Sequence, residues 1–251
     1  MRAMVFAAGL GTRLRPLTND RPKALVTVGG HTMLEIALAR LRQFGVTEAI
    51  VNTHHHSEMI REYLKANGNF GMRIAVSQEE ELLDTGGGLK EAAWFFLEGA
   101  GAGDEPFLVH NVDVISTIDL AEMVRFQEQQ RALATLAVQD RETKRYLLFD
   151  EMCLLCGRRT GGEGEPEFAR RGTEAQALAF CGVHVLSSRI FRKMTETGAF
   201  SIIDAYLHLV AGGEKIVGFR ADGYGWRDLG RPEAVAQTAQ EMEGGGLFSG
   251  R

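Results

Sequence analysis

Short apolar runs alternate with amphipathic segments along the first half of the chain, a pattern typical of strands and helices in turn. The apolar runs predict five strands, at 4–8, 49–52, 74–76, 107–109 and 135–138. Apolar residues recur at helical spacing within 34–41, 60–64 and 120–127, and Ser57 and Asp119 stand where N-caps belong. Strands separated by helices form βαβ crossovers. We therefore expect an α/β fold with a Rossmann-like, mostly parallel mixed sheet flanked by helices.

The pattern changes after about residue 140, where strands follow one another without helices. Strands predicted at 146–149, 153–156 and 178–186 favour a small antiparallel addition in the C-terminal half. The polar stretch 157–174 is interpreted as a mobile loop beside the functional site, because loops of this length are uncommon in compact domains. Further elements at 202–210, 215–219 and 232–242 complete a single domain over 1–243, and the glycine-rich tail 244–251 is expected to be flexible.

The composition excludes several classes of protein. Hydrophobic residues make up 45% of the 251 residues and charged residues 24%, ordinary values for a globular chain and unlike those of a disordered or membrane protein. No charge-free apolar stretch approaches 18 residues, so no membrane partner is expected. Three cysteines cannot form a disulfide framework, so we expect a reducing, cytoplasmic setting. The net charge of −5 argues against nucleic acid as a partner.

Basic side chains are concentrated at the start of the chain. Residues 1–25 carry a local charge of +4, and the remainder carries −9. A small cationic island on an acidic protein suits a compact polyanion, such as a nucleoside triphosphate, better than a long one.

The first predicted strand is followed by a glycine-rich basic segment, Gly9-Leu10-Gly11-Thr12-Arg13-Leu14-Arg15-Pro16-Leu17-Thr18, and then by Pro22-Lys23. Two glycines after a buried strand let the backbone turn tightly and present N–H groups to an anion. The segment does not fit the dinucleotide-binding fingerprint, which needs a third small residue where Leu14 stands and no bulky charge at Arg13, and it lacks the Gly-Lys-Ser/Thr of the P-loop. It predicts a phosphate-binding turn in which Arg13 supplies a bidentate fork and Lys23 a point charge.

This segment resembles the signature of the sugar-1-phosphate nucleotidylyltransferases, G-x-G-x-R-x-x-P-x-T followed by P-K, at every fixed position. The similarity extends over about residues 3–240. It implies the fold of the nucleotide-diphospho-sugar transferases, with a nucleotide-binding half at 1–115 and a sugar-phosphate-binding half at 116–243. The implied reaction transfers a nucleoside monophosphate from a nucleoside triphosphate to a sugar 1-phosphate and releases pyrophosphate. The chain looks most like the N-acetylmuramate-1-phosphate uridylyltransferases and the mannose-1-phosphate guanylyltransferases, so UTP or GTP is expected.

The resemblance also implies roles for individual residues. Arg13 and Lys23 are the expected catalytic residues: Arg13 neutralises the β and γ phosphates, and Lys23 bridges to the reacting α phosphate. Asn111 and Gly182 are expected to bind the sugar. The expected nucleotide-binding residues are Ala8, Gly9, Gly11, Thr12, Ser77, Glu79, Thr85, Gly86 and Gly87.

Two aspartates are the expected ligands of Mg²⁺. Asp113 follows the strand predicted at 107–109, and Asp228 lies in a segment that matches the W-x-D-x-G pattern of the family. An isolated Asp after a strand is more often a turn or helix cap, but a triphosphate site needs Mg²⁺, which prefers carboxylate oxygens. The family usually has glycine directly before the first aspartate, whereas this chain has Val112.

Three consecutive glycines, Gly86 to Gly88, stand at the start of a predicted helix. Glycines there cost backbone entropy, so a specific reason for them is expected. We interpret them as backbone that a base or ribose approaches closely, and a flexible connector is the alternative.

Two other functions stay open. A non-catalytic nucleotide-sugar sensor on the same fold is suggested by Val112, and an assay for pyrophosphate release separates it from an enzyme. A glycosyltransferase would need a paired Asp-x-Asp motif, which Asn111-Val112-Asp113 does not supply.

The cysteines are interpreted as structural thiols and His54-His55-His56 as a capping turn. Association of identical copies into a homo-oligomer is left open.

Overall fold

A computed structural model describes residues 1–98, 104–161, 164–170 and 175–244. Within these ranges the strands, in chain order, are β1 (Arg2–Phe6), β2 (Thr27–Val28), β3 (His31–Thr32), β4 (Glu48–Thr53), β5 (Arg73–Gln78), β6 (Pro106–Asn111), β7 (Val114–Ser116), β8 (Ala134–Gln139), β9 (Arg145–Phe149), β10 (Leu155–Thr160), β11 (Pro166–Phe168), β12 (Gln176–Ser187), β13 (Ile216–Arg220) and β14 (Trp226–Asp228). The helices are α1 (Met33–Gln43), α2 (Ser57–Ala66), α3 (Asp84–Glu91), α4 (Ala93–Leu97), α5 (Leu120–Gln130), α6 (Ile190–Lys193), α7 (Ile202–Ala211) and α8 (Pro232–Glu243). None of these described helices is both long enough and apolar enough to cross a membrane.

The chain divides into two compact units, each assembled from separate stretches of sequence. The first contains Met1–Leu82, His110–Ile118 and the residues from Tyr224 onward, and the second contains Leu83–Val109 and Asp119–Gly223. These boundaries differ from the functional halves expected at 1–115 and 116–243, and that functional division stays a prediction.

The first unit contains a parallel sheet. Strand β4 pairs in parallel with both β1 and β5. Helix α1 connects β1 to β4 along the chain and α2 connects β4 to β5, which are the predicted crossovers. Ala3 to Val5 are fully buried, as expected for a parallel strand that is covered on both faces. The carboxyl ends of these strands, where ligands of such sheets bind, therefore lie at one edge.

Two antiparallel ribbons and the last helix complete the first unit. Strand β7 pairs with β14, and β2 pairs with β3. Helix α8 begins at Pro232, in the first turn, where proline leaves no helical hydrogen bond unmade. The β7–β14 ribbon therefore joins the residues after β6 to the residues before α8, which are far apart in sequence.

The second unit contains most of the antiparallel strands. Strand β8 pairs in parallel with β13 and antiparallel with β12, and β12 also pairs antiparallel with β9. Strands β9, β10 and β11 continue the antiparallel order. The predicted α/β class is confirmed: the sheet is mixed and mostly parallel, helices flank it, and an antiparallel part is added in the C-terminal half.

Three local predictions differ from the structure at their boundaries. The first strand ends at Phe6, two residues before the predicted end. The strand predicted at 153–156 begins at Leu155, because Cys153 has a left-handed backbone (φ 57°) and lies in a turn. His56 rather than Ser57 is the residue before α2, whereas Asp119 caps α5 as predicted by accepting a hydrogen bond from the Glu122 N–H.

The prediction of a loop over 157–174 is wrong for much of the described segment. Strand β10 continues to Thr160, and Gly157 to Arg159 pair with β11. The polar residues there include strand residues whose charges are paired: Arg158 forms ion pairs with Glu167, at 2.7 Å, and with Asp204 of α7. Residues 162–163 and 171–174 of the predicted loop, and the predicted flexible tail from 245 to 251, lie outside the described residues.

The three cysteines all lie in the second unit and are free thiols. Cys156 and Cys181 are fully buried, whereas Cys153 is partly exposed. Burial raises the pKa of each thiol, and that of Cys181 to about 12. Buried neutral thiols behave as small apolar groups, which supports their interpretation as structural residues.

We expect a thiol reagent at pH 8 to modify Cys153 faster than Cys156 or Cys181 in the folded protein. The reactive species is the thiolate, and burial both blocks access and disfavours ionisation. Counting modified thiols against time, before and after unfolding in urea, checks this. Rapid modification of Cys181 in the folded protein would contradict the packing described for the second unit.

Candidate active site

The turn after β1 requires a glycine at one position. Gly11 has a left-handed backbone (φ 64°), and its carbonyl accepts a hydrogen bond from the Thr18 hydroxyl at 2.9 Å. A Cβ atom at Gly11 would lie 3.0 Å from Thr18 Cγ2 and 3.1 Å from Lys23 Cβ, closer than ordinary packing allows. The turn and the segment that carries Lys23 are therefore packed together, with Leu14 buried beneath them.

Lys23 forms an ion pair with Asp113 within the first unit. The two side chains are only 15% and 12% exposed, so water screens their attraction less than at an open surface. Asp113 is held in place by its neighbour Val112, whose N–H donates to the Phe6 carbonyl at 3.1 Å. The Val112 side chain is 3% exposed. The branched residue where the family usually has glycine therefore packs into the protein.

Asp228 is brought to the same region by the β7–β14 ribbon. It lies opposite Val114, and the N–H of Leu229 donates to the carbonyl of Asp113 at 2.8 Å. The backbones that carry the two aspartates are thus directly adjacent. Asp228 also accepts a hydrogen bond from the N–H of Gly230, at 2.6 Å, which fixes the direction of its carboxylate.

Arg13 and Asp228 meet at Gly230. A Cβ atom at Gly230 would lie 2.7 Å from Asp228 Oδ1 and 2.9 Å from an Arg13 guanidinium nitrogen. A larger residue at this position would displace the end of one of these two side chains. Gly230 is the glycine of the W-x-D-x-G segment, and its place between the two charged side chains was not predicted from the sequence.

The four charged residues predicted from the sequence are therefore together in the first unit, with a cation beside each carboxylate. Arg13 is exposed, so its planar fork can reach a ligand, and Lys23 adds a second positive charge. Such a set can bind a polyphosphate through its cations and a divalent metal through its carboxylates. This arrangement has the charges that a site for a phosphate-linked ligand needs.

The other predicted residues of the first unit differ in how accessible they are. Gly9 and Thr12 are exposed, Asn111 is half-buried, and Ala8 and Ser77 are buried. Gly9 would accept a Cβ atom with no described atom within 4 Å, so packing within the protein does not require a glycine there. The contacts of these five residues with nucleotide or sugar stay predictions.

Glu79 is held by a residue that the sequence analysis did not single out. Asn52, at 2% exposure, donates from Nδ2 to Glu79 Oε1 at 2.7 Å and accepts at Oδ1 from the Ala7 N–H at 2.8 Å. This chain of hydrogen bonds links the ends of β1, β4 and β5. One feature of the sequence could have indicated Asn52: it is a polar residue near the end of an otherwise apolar strand, and a buried amide needs hydrogen-bond partners.

The glycines of α3, in the second unit, include two with a packing role that the sequence did not indicate. They lie inside the helix, and the N–H groups of Gly86 and Gly87 donate to the Phe200 carbonyl at 2.9 and 3.3 Å. A Cβ atom at Gly86 would overlap the Phe200 ring. Thr85 Oγ1 accepts a hydrogen bond from the N–H of Ile202, at the start of α7. Helix packing therefore gives Gly86 and Gly87 a reason within the protein, and the close approach of a base or ribose to this backbone stays a prediction.

Gly182 lies in β12 and is buried, with a left-handed backbone (φ 72°). The register between β12 and β8 shifts between Phe180 and His184, so Gly182 occupies a strand irregularity. Glycine is the residue that adopts this conformation without steric cost. Its predicted contact with the sugar stays a prediction.

The histidine run is a turn before α2, as predicted. His56 has a left-handed backbone (φ 56°), and His54 Nδ1 lies 3.0 Å from the Glu79 carbonyl oxygen. Across the described residues, no group of three or more His, Cys, Asp or Glu side chains is placed to hold a metal ion. A metal at Asp113 and Asp228 would therefore take its other ligands from substrate or water.

Comparison with known proteins identifies the family. The sequence pattern described as "Nucleotidyl transferase" matches residues 2–148. The chain is 34% identical over 246 residues to the N-acetylmuramate alpha-1-phosphate uridylyltransferase of Caulobacter vibrioides, which covers 92% of this chain and 93% of that protein. It is 37% identical over 139 residues to a probable mannose-1-phosphate guanylyltransferase of Oryza sativa, which covers 55% of this chain and 38% of that protein.

Solved structures show the same fold. HddC from Yersinia pseudotuberculosis complexed with GMP-PN has a TM-score of 0.75 at 19% identity, covering 96% of this chain and 99% of that one. A UDP-glucose pyrophosphorylase complexed with UDP-glucose has a TM-score of 0.76 at 17% identity, covering 97% and 98%. The chain belongs to the nucleotidyl transferase family and is a nucleotidyltransferase enzyme.

We expect Gly86→Ala to destabilise the folded protein by about 1–3 kcal/mol, because the added methyl group overlaps Phe200 and overpacking costs about this much. Gly212→Ala is the matched control: Gly212 ends α7, and its Cβ atom would lie at an ordinary 3.4 Å from the nearest carbonyl oxygen. Urea unfolding of both variants measures the difference. Equal stability of the two variants would contradict the packing of α3 on Phe200.

Proposed function

We propose that the enzyme transfers a nucleoside monophosphate from a nucleoside triphosphate to a sugar 1-phosphate and releases pyrophosphate. The observation that carries this proposal is the meeting of Arg13, Lys23, Asp113 and Asp228 in one unit. Similarity to the Caulobacter uridylyltransferase over nearly the whole of both chains supports a sugar 1-phosphate acceptor and makes UTP the first nucleotide to test. The partial match to a guanylyltransferase makes GTP the second.

The proposed reaction needs no general base. The acceptor phosphate is mostly a dianion near neutral pH, since its second pKa is about 6. One of its oxygens attacks the α phosphorus, a new P–O bond forms, and the bond to the leaving pyrophosphate breaks with its electron pair on the pyrophosphate. What the protein supplies is alignment and neutralisation of charge.

Arg13 and Lys23 have distinct roles in this proposal. The exposed Arg13 fork binds the β and γ phosphates and holds the leaving pyrophosphate. Lys23 stabilises the negative charge that develops on the α phosphate, for which it must turn from Asp113 toward the substrate. The ion pair keeps the ammonium group oriented in the first unit until a phosphate replaces the carboxylate as its partner.

The donor set at the site fits Mg²⁺. Carboxylate oxygens are hard ligands, and in the structure positive groups lie near both aspartates: the Lys23 ammonium pairs with Asp113, and the Arg13 guanidinium and Asp228 both lie next to Gly230. We propose that the two carboxylates hold the ion. When bound, Mg²⁺ neutralises phosphate charge. Asp113 and Asp228 would hold the ion in one position, because the hydrogen bond from the Leu229 N–H to the Asp113 carbonyl fixes their backbones together.

The finer assignments are part of the same proposal. They comprise contacts of the base with Ser77, Glu79 and the start of α3, and contacts of the sugar with Asn111 and Gly182. A cytoplasmic location also stays a prediction, as does any association of identical copies.

A pyrophosphate-release assay tests the proposal. UTP, GTP, CTP and dTTP are each combined with N-acetylmuramate 1-phosphate, mannose 1-phosphate and glucose 1-phosphate in the presence of Mg²⁺. Pyrophosphate release that requires both substrates and yields the corresponding nucleotide sugar supports the proposal. Binding of a nucleotide sugar without turnover of any pair would favour a sensor instead.

We expect Lys23→Ala to lower kcat by about a hundredfold or more, because preorganised donors are worth about 10²–10³ in rate. The control is Lys65→Ala, an exposed lysine at the end of α2 in the same unit, which should keep the wild-type rate. Steady-state kinetics of both variants gives the comparison. A near-normal kcat for Lys23→Ala would remove Lys23 from the mechanism.

A further inference from the structure

Strand β14 carries two consecutive charged residues whose side chains have different surroundings. Successive residues of a strand project to opposite faces, so Arg227 and Asp228 point away from each other. Asp228 lies beside Arg13 and Gly230, in the candidate active site. Arg227 faces the other way and contacts α8.

Arg227 is bound by two residues of α8. One guanidinium nitrogen, NH1, lies 2.9 Å from Glu241 Oε2 and donates to Thr238 Oγ1 at 3.1 Å. Thr238 is completely buried, and its hydroxyl donates onward to the Ala234 carbonyl at 2.7 Å. Glu241 is supported in turn by Gln237, which donates to its other carboxylate oxygen at 3.0 Å. We call Arg227, Thr238 and Glu241 the β14 latch.

Helix α8 is itself a fixed partner. Its Met242 side chain packs against the turn between β2 and β3, where a Cβ atom at Gly29 would lie 3.1 Å from Met242 Sδ and Cε. Val235 is also buried. The latch therefore ties β14 to a helix that is anchored elsewhere in the same unit.

Strand β14 needs such support. It has three residues and pairs with the three residues of β7, and an isolated two-stranded ribbon is at best marginally stable. The carboxylate of Asp228 takes its direction from this ribbon and from the Gly230 N–H. If the β7–β14 ribbon could move, the Asp228 carboxylate would adopt several orientations.

We propose that Arg227 is a positioning residue for Asp228, acting through the β14 latch. This inference rests on the proposed function, in which Asp228 helps to hold Mg²⁺ with the triphosphate. Arg227 is not itself a phosphate ligand, because its guanidinium is bound to α8 on the opposite face of the ribbon from Asp228. Groups that orient metal ligands are typically worth 10–100-fold in metal affinity or activity, which sets the expected effect at about tenfold.

The test measures binding rather than turnover. Isothermal titration calorimetry gives the affinity of the full chain for inorganic triphosphate, with and without Mg²⁺, for wild type and Arg227→Gln. We expect affinity without metal to be unchanged, since it depends on Arg13 and Lys23. The gain in affinity on adding Mg²⁺ should fall by about tenfold. Arg61→Gln, an exposed arginine on α2, is the control and should behave as wild type.

A double-mutant cycle separates positioning from general loss of structure. In an Asp228→Asn background, Arg227→Gln should cause no further loss of the magnesium-dependent gain, because residues that act through one another are not additive. One nitrogen of Arg227 makes both contacts, so Arg227→Lys, which keeps a cationic donor, should retain more of the gain than Arg227→Gln. Glu241→Gln gives an independent probe of the latch if Arg227→Gln does not fold.

The outcomes distinguish the two proposals. If wild type gains no affinity from Mg²⁺, the metal role of the aspartates fails, and the positioning role fails with it. If wild type gains affinity and Arg227→Gln keeps the full gain, the positioning role alone is overturned. An equal loss from Arg227→Gln in the wild-type and Asp228→Asn backgrounds would also overturn it, since the effect would not pass through Asp228.

Discussion

The ion pair between Lys23 and Asp113 is the interaction on which the candidate active site depends. It links the glycine turn after β1 to the carboxylate after β6, and both side chains are mostly shielded from water. Removing one partner of such a pair leaves an uncompensated charge, which costs more than the pair itself contributes. In the free protein, Lys23 and Asp113 therefore neutralise each other. A ligand that carries both phosphates and a metal can offer a phosphate to Lys23 and the metal to Asp113.

Backbone connections rather than long side-chain reach bring the remaining groups to this pair. The N–H of Leu229, the residue after Asp228, donates to the Asp113 carbonyl, so the backbones that carry the two aspartates are adjacent. Gly230 then leaves space in which Arg13 and Asp228 approach each other. A short ribbon holds a charged side chain in a fixed position only when the ribbon is packed against a rigid element. In this unit, β14 contacts α8 through Arg227.

Much of the fold followed from periodicity in the sequence, because alternating apolar runs and helical stripes reflect burial directly. The strands of the parallel sheet and helices α1, α2 and α5 were predicted close to their observed positions. The stretch 157–174 was not, because the sequence does not show that a charged residue such as Arg158 pairs across two strands with Glu167 and with a helix that follows much later. Asp204, its partner on α7, lies 46 residues on, and only the folded chain brings them together.

The charged residues of the site could be predicted because glycine turns, basic forks and strand-end carboxylates are local signals. Asn52 and Gly230 could not, because their roles depend on contacts with Glu79, Ala7 and Arg13 across the fold. The packing of the α3 glycines could not be predicted either. Gly86 lies against the Phe200 ring and Gly87 against the Gly198 carbonyl, and both contacts depend on residues more than 100 positions away in sequence.

The most direct test of this account is the affinity of Asp113→Asn for UTP and for GTP, each measured by calorimetry with and without Mg²⁺. Without metal, the variant should bind the triphosphate more tightly than wild type, because a repelling carboxylate is gone and Lys23 is released. With Mg²⁺, most of the gain seen in wild type should be absent. A variant that binds both nucleotides as wild type does and keeps the full gain from Mg²⁺ would contradict the account.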